Sequence, residues 1–192
     1  RPFFWDYSPE HTNAVAEALE NQFLIDGDNG IDEQLEEIAG QLANEYWNEH
    51  KRDLIKIVDD SFLEDYDEFN IGAQFRTAAT VSIAYSLMSR CGLAPEEYFE
   101  PEDFLSIFDF NTPATMTFLG TAVSDANQQV LRQIEIAIKN YERSKAHEQP
   151  NLQPERRLSD TRPDSAGGDQ PAVGQIRQDA EIVPEGAADG DV

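Results

Sequence analysis

Apolar residues recur along this chain at intervals of three and four, in several long stretches. Val15, Leu19 and Phe23 form the first, opened by Ser8 as an N-cap and by Pro9 at the first helical position, where the missing N–H costs nothing. The run Asp26-Gly27-Asp28-Asn29-Gly30 ends it as a turn. A second helix is expected from about Asp32, with a stripe of Leu35, Ile38, Leu42 and Tyr46 and with Glu33, Glu36, Glu37 and Glu45 elsewhere on its surface. Its pattern resumes at Leu54, Ile55 and Val58 before the acidic stretch 59–68 interrupts it. Gly40 falls inside that stripe, at a cost of about 1 kcal/mol against alanine.

The third stretch, 71–91, is the most apolar. Phe75, Ala78, Ala79, Ser82, Ile83, Leu87 and Cys91 make a broad face that Val81, Tyr85 and Met88 widen, so this helix belongs at the centre of the fold. Gly92 supplies the C-terminal stop. Two short helices follow, each opened by proline at Pro95 and Pro101. The last helix is capped by Thr112, starts at Pro113, and carries Met116, Leu119, Val123, Val130, Ile134, Ala137 and Tyr141 along one side. The β-branched residues sit at helical rather than alternating spacing. The expected fold is all-α, an irregular bundle of about four main helices plus short ones.

The pattern stops near His147. Residues 148–192 contain no aromatics and only isolated large aliphatics, amid Pro, Gly, Asp, Gln and Arg, too little apolar surface to offset the entropy of ordering the segment. The expected organisation is a helical domain over 1–147 and a disordered acidic linker or tail over 148–192. The chain begins Arg1-Pro2-Phe3 without a methionine, which suggests a piece of something longer.

Charge sharpens this picture. Of the 192 residues 38 are acidic and 14 basic, for a net charge of −24. Residues 9–69 hold 18 acids against 3 bases, whereas 70–147 hold 9 against 6. Direct binding to nucleic acid or to an anionic membrane is not expected, because both rely on clustered Lys and Arg. No apolar run approaches the roughly 20 residues of a membrane span, and no charged-then-apolar leader opens the chain. Cys91 is the single cysteine and can form no internal disulfide, as fits a reducing cytoplasm.

Candidate chemistry is sparse. Read as a calcium loop, Asp26, Asp28, Asp32 and Glu37 occupy positions one, three, seven and twelve, but Gly30 stands at five and Ile31 at six, where the turn requires glycine. The acids then read as a solvated turn and a first helical turn favourable to the helix dipole. His11, His50 and His147 are too dispersed for a zinc motif, and Cys91 has no histidine placed locally as a base. Phosphate-binding glycine loops and nucleophile elbows are missing. The cluster Phe3, Phe4, Trp5 and Tyr7 has only Arg1 beside it, too little charge for a base-stacking platform, and reads as an extended arm packing on the bundle or as the end of an upstream domain. No catalytic, cofactor-binding or metal-binding residue is assigned, no cofactor is expected, and the chain alone is not expected to be an enzyme. Hydrolysis by Cys91 or an acidic pair in an unseen pocket is a lesser alternative.

Several segments carry a resemblance. Residues 73–79, 84–85, 89–92, 102–104, 109–115, 119–120, 122–125 and 131–134 resemble a stretch of the very large DNA-processing proteins encoded by conjugative elements of gut Firmicutes. In that family an antirestriction-like N-terminal region precedes the helical segment, and SNF2-type helicase and adenine-specific DNA methyltransferase modules follow a low-complexity linker, to which residues 152–160 and 164–168 are similar. The resemblance runs from about Asp6 into the tail and is densest over 70–143. It implies a non-catalytic helical module that connects or positions neighbouring domains of a bacterial cytoplasmic protein, those domains being its partners. None of the family's ATP-binding or methyl-transfer motifs occurs here. The alternative is an acidic DNA mimic or protein-interaction domain, with the partner on the acidic face of residues 9–69.

Overall fold

The computed structural model describes residues 6–27 and 29–148. All of them fall in the first of two units into which the chain divides, Arg1–Asn151; the second unit, Leu152–Val192, and with it the expected tail, lies outside the described residues. So do Phe3, Phe4 and Trp5 of the aromatic cluster.

The described residues are all-α, as expected. Ser8 caps a 3-10 turn, Pro9–His11, that runs directly into helix α1, Thr12–Phe23. Val15, Leu19 and Phe23 are buried on α1. The helix ends where Leu24 adopts the left-handed conformation, with φ 55°. Helix α2 spans Ile31–Ile55 without a break, so the two apolar patches read from the sequence belong to one helix. Val58 lies past its end and is buried all the same. The inward aromatic at the middle of α2 is Trp47, with Tyr46 only half-buried against the core.

Helix α3, Glu68–Arg90, starts at Asp67, whose side chain accepts the Asn70 N–H at 2.8 Å. Its buried residues include Phe75, Ala78, Ala79, Val81, Ile83, Ala84, Leu87 and Met88, a circumference wide enough to pack on α2, on α4 and on the segment before α4. That breadth is what the sequence placed at the centre. Phe75 lies among Tyr46, Trp47, Phe110 and Phe118, with ring centroids 5.6–6.3 Å away. Gly92 follows with φ +75°, the left-handed stop that glycine takes without strain. The two proline-led segments are 3-10 helices, Pro95–Glu97 and Pro101–Asp109, the second longer than its sequence led one to expect.

Helix α4, Pro113–Glu148, is opened by Thr112 and Thr115, which exchange hydrogen bonds between backbone N–H and hydroxyl at 3.2 Å in both directions. Its inward line is Thr115, Leu119, Ala122, Ala126, Val130, Ile134 and Ala137. Met116, expected in that stripe, is 60 % exposed. A helical turn advances about 100° per residue, so Thr115 takes the inward direction and Met116 faces away from it.

Candidate functional site

The chemistry-bearing side chains fall into three places. The first is where the chain's beginning meets the end of α4. His11, 6 % exposed, accepts the Ser8 backbone N–H at Nδ1 (3.1 Å), which leaves the neutral ring's proton on Nε2 to be donated to Glu142 Oε1 at 2.8 Å. Tyr141 packs edge-on against the imidazole, with centroids 5.4 Å apart. Alongside, Glu10 pairs with Lys145, and that hydrogen bond holds the Glu10 carboxyl below its usual range and the Lys145 ammonium above its own. Ligating atoms of Glu10, His11 and Glu142 lie within 4.8 Å of one another, a donor set that a zinc ion accepts. Here the protein meets those donors itself: Lys145 neutralises Glu10, and the Nε2 proton occupies Glu142. The group acts as a fastener between Pro9–His11 and α4.

The second place is Cys91, the one nucleophile weighed from the sequence. It is buried, and burial pushes its thiol up to about 11. At neutral pH such a sulfur is a core atom rather than a nucleophile. His50 lies elsewhere, its ring tilted 40° against Tyr46 with centroids 4.3 Å apart. The influences on the thiol are burial and the Arg90 charge, with no histidine among them. The calcium-loop acids are not a loop either, since α2 has already begun at Ile31 and Asp32 sits in its first turn. Asp28 is outside the described residues.

The third place is the acidic surface. A cleft of about 670 Å³ lies between α2, α3 and the proline-led segments, lined by Glu36, Glu102, Asp103 and Arg76, whose guanidinium sits over the Trp47 ring at 5.8 Å. A smaller cleft of about 280 Å³ between α2 and α4 gathers Glu45, Glu49 and Asp125 around Tyr46 and His50. Burial first, then Asp125 and Asp53, push the Tyr46 phenol up. Glu36 and Glu45 are nine residues apart, about two and a half helical turns, which turns them to opposite sides of α2. At 100° per residue the acids of α2, from Asp32 to Asp53, fall all round the helix.

No family model, curated protein or solved structure matches this chain. Function has to be read from its own residues. One feature of those residues escaped sequence reasoning: Phe62, Phe108 and Met116 are 65 %, 67 % and 60 % exposed. Phe108 and Met116 border a cleft of about 560 Å³ between Pro101–Asp109 and the start of α4, floored by Ile107, Phe110, Leu119 and Val123. Large apolar residues grouped on a surface mark places where something binds. Met116 itself was the available signal, since it stands one position away from the inward line of α4. Among the described residues no helix is long and apolar enough to cross a membrane.

Proposed function

We propose that this chain is a non-catalytic helical module of a larger bacterial, cytoplasmic DNA-processing protein of a mobile element, where it connects and positions neighbouring domains. The observation that carries this reading is how the reactive groups are used. Cys91 is sealed in the core and His11 fastens α4, while the accessible surface offers dispersed acids and a cluster of apolar side chains. A surface of that kind works by contact. The resemblance over residues 70–143 supplies the setting.

The test is to assay the purified chain for ATP hydrolysis and for methyl transfer to duplex DNA, and to titrate it with the domains encoded beside it. Turnover in either assay refutes the reading, as does failure to bind any flanking domain.

A second reading, an acidic DNA mimic, draws on the 18 acids against 3 bases in residues 9–69. Duplex DNA presents a charge about every 1.7 Å along its axis, in two regular rows. The α2 acids, spread round the helix rather than aligned in rows, weigh against it. Relief of restriction-endonuclease cleavage by the chain, reversed by added competitor DNA, would restore it.

A further inference from the structure

We infer that the apolar cleft between Pro101–Asp109 and the first turns of α4 is a docking site for a basic amphipathic helix of a partner protein or neighbouring domain. The inference deepens the docking reading above by naming a face and a chemistry, and it rests on that reading only in requiring that the chain act by contact.

The cleft has the form that receives a helix: about 560 Å³, open at the surface and lined by Ile107, Phe108, Phe110, Met116, Leu119 and Val123. Its wall includes Gly120, where an added Cβ would meet nothing within 4 Å, so the floor of α4 is locally low. Methionine and phenylalanine at the mouth adapt to apolar anchors spaced one helical turn apart.

Charge selects the partner. Asn111, at the cleft, accepts the backbone N–H of Phe62 at 3.0 Å and so ties the acidic stretch after α2 to the mouth. The stretches 57–75 and 91–131, which supply Phe62 and all of the lining except Ser82, together carry 13 acids and no Lys or Arg, whereas α3, which supplies Ser82, carries Arg76 and Arg90. Asp109 stands between two cleft residues, and burial holds its carboxyl above the usual range. An apolar groove set among chain stretches with an excess of carboxylates is complementary to a helix with Lys and Arg flanking its apolar stripe.

Other occupants fit less well. The aromatic residues Phe3, Phe4 and Trp5 precede Tyr7, which packs on His11 and hence by Glu142, 26 residues along α4 from Met116. That separation is about 39 Å at 1.5 Å per residue, and five extended residues reach only about 17 Å. Residues 149–192 could span the distance, but they carry 9 acids against 4 bases and no aromatic anchor, so their charge repels the rim. A second copy brings the same net charge of −24.

The experiment uses the two methionines as reporters. Met88 is fully buried and Met116 is 60 % exposed, so a chain labelled at the methionine methyls gives an internal reference and a probe. The full chain is titrated with a synthetic Leu/Lys peptide of about five turns, with leucines on one face. A second peptide of the same composition, scrambled to abolish that face, is the comparison. The expected result is a Met116 shift with Met88 unmoved, binding in the micromolar range, and at least about tenfold weaker binding of the scrambled peptide. Gly120→Leu, which fills the cleft, and Met116→Glu, at an exposed position, should abolish the preference without lowering the melting temperature, which the loss of an interior helical glycine should raise in the first. Equal binding of both peptides, or a preference that survives both variants, overturns the cleft as the site while leaving docking through the acidic flanks standing. Absence of binding at low salt also overturns it. Turnover of ATP or methylation of DNA, in contrast, would overturn the function and not this site.

Discussion

Gly72 and Gly40 are both interior helical glycines, and the structure predicts opposite signs for their replacement by alanine. In a helix interior, alanine is favoured over glycine by about 0.8–1.0 kcal/mol, so propensity alone would make both substitutions stabilising. At Gly40 the nearest atoms to an added Cβ are those of Thr80 at 4.0 Å, an ordinary contact, and the propensity gain should be realised in full. At Gly72 the added Cβ would stand 2.7 Å from Trp47 Cε2 and Cζ2, and 3.1 Å from Nε1. Unstrained carbon contacts are about 3.5–4.0 Å, so the indole or the α2–α3 spacing must give by roughly 1 Å. Trp47 is buried, with the Phe75 ring 6.0 Å away and the Arg76 guanidinium 5.8 Å over its ring, and cannot swing aside freely. Overpacking of a core costs about 1–3 kcal/mol, which exceeds the propensity gain at most of that range. Gly72→Ala should therefore be less stable than the parent by up to about 2 kcal/mol, and Gly40→Ala about 1 kcal/mol more stable. Urea denaturation followed by helical circular dichroism measures both, as midpoint shifts of opposite sign at constant slope. The decisive cycle adds Trp47→Leu, which removes the benzo edge. In that background Gly72→Ala should lose its penalty. A Gly72→Ala variant more stable than the parent would refute the packing argument outright.

The remaining expectations concern the core, the thiol and the tail. Phe75→Ala empties the centre of an aromatic cluster and should cost about 3–5 kcal/mol, with Ile83→Ala and Leu119→Ala at about 2–5; thermal melts that do not move would put the core elsewhere. Gln34 is fully buried with neither amide atom hydrogen-bonded to protein, so Gln34→Met should stabilise by about 1–3 kcal/mol, and a lower urea midpoint would contradict that. Raising the Cys91 thiol from 9.0 to about 11 lowers its thiolate fraction about a hundredfold at pH 8, so alkylation of the native chain should be slow and accelerate sharply in urea. Deleting residues 149–192, which have no aromatics to pack, should leave the melting temperature unchanged; a drop of many degrees would mean that they contribute to the fold.

The helices were legible because their apolar stripes repeat over many turns and their ends carry Pro9, Thr112, Pro113 and Gly92. What the sequence concealed depends on small or polar residues in the interior. On α4, Ala122 and Ala126 face inward and are easily passed over beside Met116 and Val123, which are larger but less buried. Gln34 would be read as surface, yet it is fully buried. Gly72 is a recess for Trp47, and nothing within its own helix records a partner 25 residues earlier. The fastener was hidden for the same reason, since His11 and Glu142 are 131 residues apart. The apolar cleft arises only when a 3-10 segment is laid beside α4, a juxtaposition that no local period encodes.

The pairing of Glu10 with Lys145 and of His11 with Glu142 also governs how this unit could be wired into a longer polypeptide. Residues 8–11 and the last turns of α4 lie side by side, while the apolar cleft lies some 39 Å away along α4, at 1.5 Å per residue. Such an arrangement suits insertion: the bundle can be set into a host as a side branch, with the segments on either side of it held close together and its working face projected outward.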